Sequence, residues 1–292
     1  MDKTLRNLSY WLDALLHSFS QILFQSSRHC GLLLLLAIGV ESPWLLAGGL
    51  CGCLAALLGA GLGAFDRDRL RSGDYGYNGA LLGLGVTALG GLSQATLALI
   101  ALLGVLSVPM LDWQLRRLRL PPYTSVFVLL GWCAWGLLPL LQAFAPVAAE
   151  AVGDRPLPVQ SVMQGLGQVL FLGSPLAALL VLLGLTLASA RDAGWALIGA
   201  LTGNLVASGL PVAPHDLHLG LYGFNGALAA IALSRRFGPQ PLLILTGSAV
   251  ATLLQPLLAQ LGIPPFTAPF VLSCWLICLM TARISTHPEP TP

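Results

Sequence analysis

The stretch Tyr75-Gly76-Tyr77-Asn78-Gly79-Ala80-Leu81 decides the fold, because it returns 147 positions later as Tyr222-Gly223-Phe224-Asn225-Gly226-Ala227-Leu228. Gln21-Ile22-Leu23-Phe24 returns with the same shift as Gln168-Val169-Leu170-Phe171. Leu120-Pro121-Pro122-Tyr123-Thr124 returns after 143 positions as Ile263-Pro264-Pro265-Phe266-Thr267. Three blocks in the same order indicate one module that has been duplicated, and in a membrane protein such a duplication is typical of a pathway between the halves.

The composition predicts that the chain lives in a lipid bilayer. Of its 292 residues 56% are hydrophobic and 9% are charged, with a mean hydropathy of +0.81, which is more apolar surface than a soluble core can hide. A helix needs about 20 apolar residues to cross the hydrocarbon. The apolar stretches predict ten spans, at residues 30–47, 45–64, 78–93, 95–112, 124–144, 174–190, 194–211, 223–234, 241–260 and 267–282. A β-barrel is excluded because a period-two pattern is absent.

The basic residues predict the orientation of these spans. With a cytoplasmic amino terminus, 13 of the 14 lysines and arginines lie on the cytoplasmic side and only Arg155 lies outside, as the positive-inside rule expects. Five spans per half is an odd number, so the second half enters the membrane from the opposite side. The predicted fold is therefore an all-α polytopic membrane protein of two inverted repeats, each with about five spans and a short re-entrant helix.

The same reasoning divides the chain into four parts. Residues 1–145 form the first repeat, 146–161 an external linker, 162–284 the second repeat and 285–292 a disordered tail. The basic residues follow the topology, so the net charge of +2 does not indicate nucleic-acid binding.

Each half contains a glutamine at the start of a short apolar run. Gln21 and Gln168 open runs that stop before a full span begins, which predicts a short helix that ends inside the protein. Its last carbonyl oxygens lack intrahelical donors, and such backbone is tolerated at membrane depth where it lines a cavity or is buried in protein. We interpret both glutamines as pathway residues, the alternative being an interhelical hydrogen bond.

The other two blocks supply hydroxyl and aromatic groups. Thr124 and Thr267 follow Pro-Pro-aromatic at the start of a helix, where a hydroxyl either caps its own helix or faces a ligand. An inverted repeat would bring these two threonines together near the axis. Tyr77 and Phe224, with Phe24 and Phe171, suggest a two-sided aromatic constriction; the alternative for aromatic residues is interfacial anchoring. Asn78 and Asn225 are predicted to cap the helices that follow them.

The repeated blocks resemble those of the urea transporter family. The residues that carry the likeness are Ser20-Gln21-Ile22-Leu23-Phe24-Gln25, Tyr222 to Leu228, and Ile263-Pro264-Pro265-Phe266-Thr267-Ala268-Pro269-Phe270, and it extends over nearly the whole chain. It implies two inverted halves of five spans with a re-entrant helix each, a homotrimer with one pore per subunit, and passive passage of urea without ion coupling.

The resemblance also implies which residues line the pore. Gln21 and Gln168 would bind the solute, Thr124 and Thr267 would lie at the middle, and the slot would be formed by Phe24, Tyr77, Leu81, Phe171, Phe224 and Leu228. Three departures occur: Ser26-Ser27-Arg28-His29 stands where the family has Asn-Asn-Pro, Val126 replaces a proline, and Tyr77 adds a hydroxyl. They predict a different first re-entrant end, with Arg28 near the cytoplasmic mouth.

Facilitated, channel-like transport of urea is the function that fits these features. Urea is neutral and flat, and oxygen rows can accept its N–H groups while aromatic walls exclude water. We expect a bacterial inner (plasma) membrane protein with both termini cytoplasmic, no cofactor, no metal and no nucleic-acid partner. One alternative is a channel for ammonia or another small neutral amide, which would be expected to use mid-pore histidines. A remote one is an intramembrane enzyme built on His215-Asp216-Leu217-His218.

Overall fold

The computed structural model describes residues 3–63, 65–141 and 158–284, and all regular secondary structure in these ranges is helical. The first seven helices are α1 (Lys3–Gln21), α2 (Arg28–Glu41), α3 (Pro43–Leu62), α4 (Arg67–Arg71), α5 (Tyr77–Gly90), α6 (Gln94–Arg117) and α7 (Ser125–Leu137), which a 3₁₀ turn at Leu138–Leu141 extends. The next seven are α8 (Pro158–Gln168), α9 (Pro175–Ala188), α10 (Ala190–Ser208), α11 (Pro214–His218), α12 (Phe224–Phe237), α13 (Pro241–Ala259) and α14 (Ala268–Ile284).

The two sets of seven helices follow the same order. Each begins with a helix that ends at a pathway glutamine and has a five-residue helix as its fourth member. The helices α5 and α12 both contain 14 residues. The predicted tail lies outside the described residues, as does the predicted linker up to residue 157; α8 begins at Pro158, within the last residues of that linker.

Serine residues set the helix boundaries in both halves. Ser42 ends α2 and also caps α3, because its hydroxyl accepts from Leu45 N. Ser189 ends α9 and caps α10 in the same way, accepting from Asp192 N. The predicted spans 30–47 and 45–64 overlapped at this point, which was wrong. A serine that satisfies an orphan amide, followed by Pro43 at the first helical position, starts a new helix.

The outer surface of the described helices is apolar. Leu54, Leu102 and Leu183 are each 45% exposed or more. Three of the described helices, Pro43–Leu62, Gln94–Arg117 and Pro241–Ala259, are long and apolar enough to cross a membrane, and three shorter apolar segments lie at 125–141, 175–188 and 268–281. Exposed apolar surface on this scale requires a lipid environment.

The second glycine of the repeated motif lets two helices touch through their backbones. A Cβ atom at Gly79 of α5 would collide with the carbonyl oxygen of Gly52 on α3, and one at Gly226 of α12 would collide with that of Gly199 on α10. Any larger residue would push these helices apart. The glycines therefore fix the start of α5 and α12 against the rest of each half.

Candidate solute pathway

The helices α1 and α8 end in the same turn, although α1, with 19 residues, is not the short helix that the sequence predicted. Gln25 N donates to Ser20 O at 3.0 Å and Phe24 N to Gln21 O at 2.9 Å, while Phe24 has φ of 60°. This is the Schellman pattern, in which glycine usually occupies the left-handed position. The second half repeats it, with Leu172 N donating to Gly167 O and Phe171 at φ of 61°. A left-handed residue with a side chain costs about 1–2 kcal/mol, so the direction of each phenyl ring is fixed at an energetic cost.

The two glutamines at these helix ends are oriented by backbone carbonyls. Gln21 Nε2 donates to Ser72 O, and Gln168 Nε2 donates to Leu219 O, both at 3.2 Å. A carbonyl can only accept, so the amide nitrogen must face the backbone. No described residue donates to either Oε1, and this oxygen is the atom each glutamine can offer to a solute.

Each glutamine lies in the wall of its own cavity. The Gln21 cavity has a volume of about 250 Å³ and is lined by Gln21, Phe24, Asp74, Tyr77, Leu111, Leu115, Pro121, Pro122, Tyr123 and Thr124. The Gln168 cavity has a volume of about 320 Å³, and its wall includes Gln168, Phe171, Phe224, Phe127, Leu221, Asp216, Gln255, Pro264, Phe266 and Thr267. Both are large enough for a molecule of a few heavy atoms.

The two threonines connect these cavities. Thr124 Oγ1 and Thr267 Oγ1 lie 2.7 Å apart in a buried hydrogen bond, and each threonine lines one cavity. Thr124 precedes α7 but its side chain does not cap it, so the capping alternative fails there. The shared bond uses one hydroxyl hydrogen. The other hydroxyl hydrogen remains for an acceptor on a solute, since no described residue takes it.

Aromatic rings surround the pathway in two matching groups. Phe24, Tyr123 and Phe270 form the Phe24 cluster, with ring centroids 5.1–6.0 Å apart. Phe171, Phe266 and Phe127 form the Phe171 cluster, with centroids 5.2–6.5 Å apart. Edge-to-face packing holds each ring in one orientation. Each half thus contributes one phenylalanine to the cluster of the other half: Phe127 packs in the Phe171 cluster and Phe270 in the Phe24 cluster.

Two tryptophans repeat this exchange between the halves. Trp132 Nε1 on α7 donates to Pro264 O at 2.9 Å, and Trp275 Nε1 on α14 donates to Pro121 O at 2.8 Å. Both carbonyls belong to the Pro-Pro-aromatic-Thr blocks. Each block is therefore held by a helix of the other half.

The motif asparagines do not cap their helices, contrary to prediction. Asn78 and Asn225 are the second residues of α5 and α12, fully buried, and neither helix has a side-chain cap. Asn78 Oδ1 accepts from Phe127 N at 3.1 Å, and Asn225 Oδ1 accepts from Phe270 N at 3.3 Å. From inside a helix they reach orphan amides at the starts of α7 and α14.

The halves differ at the carbonyl that precedes each threonine. Asn225 Nδ2 donates to Phe266 O at 3.2 Å and to Gln255 Oε1 at 2.9 Å. In the first half the hydroxyl of Tyr77 donates to Tyr123 O instead, and the buried Asn78 Nδ2 has no partner among the described residues. The extra hydroxyl of Tyr77 thus takes the place of an asparagine amide.

Eight of the ten predicted site residues line the two cavities. Gln21, Phe24, Tyr77 and Thr124 line one, and Gln168, Phe171, Phe224 and Thr267 line the other. Leu81 and Leu228 are 1% exposed and belong to neither lining. The rings that pack against Phe24 and Phe171 come from Tyr123, Phe270, Phe127 and Phe266 rather than from Tyr77 and Phe224. The repeat could have pointed to these four residues, since Tyr123 matches Phe266 and Phe127 matches Phe270 at a shift of 143 positions.

Two of the three departures in the first half leave the cavity unobstructed. Arg28 pairs with Asp13, which also binds Arg71 at 3.1 Å, and it does not line the Gln21 cavity. The side chain of Val126 is buried in α7. Arg28 thus forms an ion pair with α1, and its position near the cytoplasmic mouth stays a prediction.

Comparison with known proteins decides the family. The sequence profile described as "Urea transporter" matches residues 12–282. The chain belongs to the urea transporter family. Urea transporter 1 of Ovis aries, Mus musculus and Rattus norvegicus are each 25% identical over 299 residues, which cover 94% of this chain and 78% of theirs.

Membership of the urea transporter family makes the chain a transporter and not an enzyme. The His-Asp-Leu-His segment lies on α11, whose residues are half-buried or exposed. Among the described residues, no group of three or more metal-ligating side chains comes together. The motif is a surface helix beside the Gln168 cavity.

Proposed function

We propose that this chain carries urea across the membrane by passive, channel-like diffusion through the two cavities and the threonine pair between them. The observation that carries the proposal is the Thr124–Thr267 contact, which joins a cavity from each half through two hydroxyls. Urea transporter 1 proteins, whose names state their solute, match nearly the whole chain.

The chemistry of the walls suits urea. Urea has four N–H donors and one carbonyl acceptor, and each unmade bond in an apolar slot costs about 1–3 kcal/mol. The Oε1 atoms of Gln21 and Gln168 accept N–H groups, and the free hydroxyl hydrogen of the threonine pair donates to the carbonyl. The Phe24 and Phe171 clusters offer flat apolar surfaces and no charge, which disfavours ions.

A fixed channel, rather than a rocking carrier, is supported by the contacts between the halves. Trp132 and Trp275 bond across the halves on both sides of the threonine pair. Glu41 of α2 accepts from Gly173 N and Ser174 N at 3.0 Å, so it holds the start of α9 in the other half, where Ser174 is the cap. Rocking one half against the other would break all of these bonds together.

We further propose that the repeats are inverted, with ten crossings and the Gln21 cavity on the cytoplasmic side. Arg71, just before α5, shares Asp13 with Arg28. Arg235, in the last turn of α12, binds Asp192 at 2.7 Å and reaches Gln25. The start of α5 and the end of its counterpart α12 thus meet the same basic region, which supports opposite directions.

The membrane and assembly follow from the resemblance and the basic residues. We place the chain in the inner (plasma) membrane with cytoplasmic termini, as a homotrimer with one pathway per subunit. Impermeant maleimide should label cysteines introduced beside Arg117 from the cytoplasm, and cysteines beside Asp216 from outside. Labelling of both from one face would overturn the inversion.

The transport experiment is urea efflux from proteoliposomes compared with empty liposomes. Reconstituted protein should accelerate efflux strongly, and no acceleration by correctly assembled protein would overturn the proposal. An ammonium pulse followed by internal pH tests the ammonia channel. No described histidine lines either cavity, so we expect no acceleration of ammonia entry.

A further inference from the structure

The two copies of the motif differ at two positions, and both differences lie in the same cavity. Gly73-Asp74-Tyr75-Gly76-Tyr77-Asn78 corresponds to Gly220-Leu221-Tyr222-Gly223-Phe224-Asn225. Asp74 and Tyr77 line the Gln21 cavity, whereas Leu221 and Phe224 line the Gln168 cavity. The first half has therefore gained a carboxylate and a hydroxyl where the second half has apolar groups.

The backbone around the two positions is the same. Gly73 and Gly220 have φ of 85° and 72°, and the helix caps Gly76 and Gly223 have φ of −92° and −86°. Both glutamines bond to the carbonyl two residues before the variable position. Asp74 and Leu221 thus occupy equivalent backbone positions, so each can serve as the control for a substitution at the other.

Asp74 acts directly on the pathway glutamine. Its Oδ1 accepts from Gln21 Nε2 at 3.3 Å. No described arginine or lysine lies within ion-pair distance of it. Ser72 is its other polar neighbour, and the charges of Arg69 and Asp66 act on it only at longer range. A half-buried carboxylate without a cationic partner favours a donor-rich or positively charged ligand.

The rest of the Gln21 cavity selects the shape of that ligand. Its wall carries the rings of Phe24, Tyr77 and Tyr123, whose faces attract a flat cation. Guanidinium-type cations have the planar outline of urea but only donors on their edges, so they fit a carboxylate and a glutamine carbonyl. The Gln168 cavity also has a carboxylate, Asp216, but this residue lies on α11. Gln168 donates to Leu219 O, and among the described residues it has no bond to a carboxylate such as the one that Gln21 makes to Asp74.

We infer that Asp74 makes the Gln21 cavity a binding site for planar guanidinium-type cations, which block urea passage from that side. A cation held there does not proceed, because the described residues of the threonine pair and of the Phe171 cluster beyond it include no carboxylate to replace its water. The inference rests on the proposed urea pathway and adds a one-sided inhibitory ligand class to it.

The test is inhibition of urea flux by millimolar guanidinium, applied outside right-side-out or inside-out vesicles, with tetramethylammonium as the ionic control. The unmodified protein should be blocked from one side only. Asp74→Leu should raise the half-blocking concentration about tenfold or more, measured against the urea flux of that variant without guanidinium. Adding Leu221→Asp to that variant should move the block to the opposite side.

Three outcomes would overturn the inference while the urea pathway stands: no block, an equal block from both sides, or the same block in Asp74→Leu. Absence of urea flux in the unmodified protein would instead overturn the proposed function. In that case, direct binding of guanidinium to purified protein, compared with Asp74→Asn, still decides whether the site exists. Equal binding by both proteins rejects it.

Discussion

Four aromatic residues in left-handed backbone conformations lie in the walls of the two cavities. Phe24, Tyr123, Phe171 and Phe266 have φ between 45° and 61°. L residues avoid this region at a cost of about 1–2 kcal/mol each, yet both halves keep it at matching positions. The ring packing in the Phe24 and Phe171 clusters compensates this cost, and the strained backbone is therefore part of the site.

Part of the candidate site could be predicted from single residues in the sequence. Repetition identified Gln21, Gln168 and both threonines, because polar residues in an apolar duplicated chain stand out. It did not identify Tyr123 or Phe270 as walls, since their direction depends on a backbone conformation that no local pattern predicts for an aromatic residue. Leu81 and Leu228 were selected by resemblance alone, and their side chains are buried away from the cavities.

The hydroxyls of the threonine pair should control the rate of urea passage. Thr124→Val and Thr267→Val keep the volume but remove one hydrogen-bonding group, which costs about 1 kcal/mol. Urea efflux from proteoliposomes should slow about fivefold for either variant. The corresponding serine variants are the controls and should stay near the normal rate. Normal flux in both valine variants would remove the hydroxyls from the mechanism.

The two motif asparagines should differ in their contribution to stability. Asn225 makes bonds to Phe270 N, Gln255 and Phe266 O, whereas among the described residues Asn78 accepts from Phe127 N and its Nδ2 lacks a partner. Asn225→Ala should destabilise the protein by about 1–2 kcal/mol more than Asn78→Ala, because more buried groups lose partners. Thermal unfolding in detergent measures this difference. An equal loss for the two variants would contradict it.

At the scale of elements, the helices were predictable and their ends less so. Apolar stretches located ten of the described helices, α2 to α14 without α4, α8 and α11, because lipid requires continuous hydrophobicity. The break at Ser42 was missed, since the apolar pattern continues through Trp44 and Leu45 and only the serine and proline mark the boundary. The ends of α1 and α8 were misplaced: Gln21 and Gln168 were expected to open short helices, but they are the last residues of α1 and α8, and the apolar runs after them are turns.

The tryptophan bonds should hold α7 and α14 against the opposite half. Trp132→Phe and Trp275→Phe each leave a proline carbonyl without its donor while keeping an aromatic ring. Each variant should lose about 1–3 kcal/mol of stability, and the two losses should be similar. The exposed Trp113 provides the control, since Trp113→Phe should have little effect. Retained stability in both Trp132→Phe and Trp275→Phe would show that the bonds do not couple the halves.

For the molecule as a whole, the described residues place no charge at the threonine pair, and this predicts electrically silent transport. Among the described residues, the two cavity walls carry two charged side chains, Asp74 and Asp216, and neither belongs to the threonine pair or the aromatic clusters. Coupling to an ion gradient usually requires ionisable groups along the pathway inside the membrane. Urea uptake into proteoliposomes should be unchanged by sodium gradients, proton gradients or membrane potential. Uphill accumulation driven by any of these would refute the channel mechanism.

The exchange of aromatic side chains between the halves also determines when the two aromatic clusters can form during synthesis. The ribosome completes the first half well before α14 emerges, and Trp275 follows its acceptor Pro121 by 154 positions. Until then the Phe24 cluster lacks Phe270, and the Gln21 cavity has no partner for Thr124. A nascent chain that stops before residue 267 therefore has most of the helices of this protein. It lacks Thr267 and Phe270, so neither the threonine pair nor the Phe24 cluster is complete.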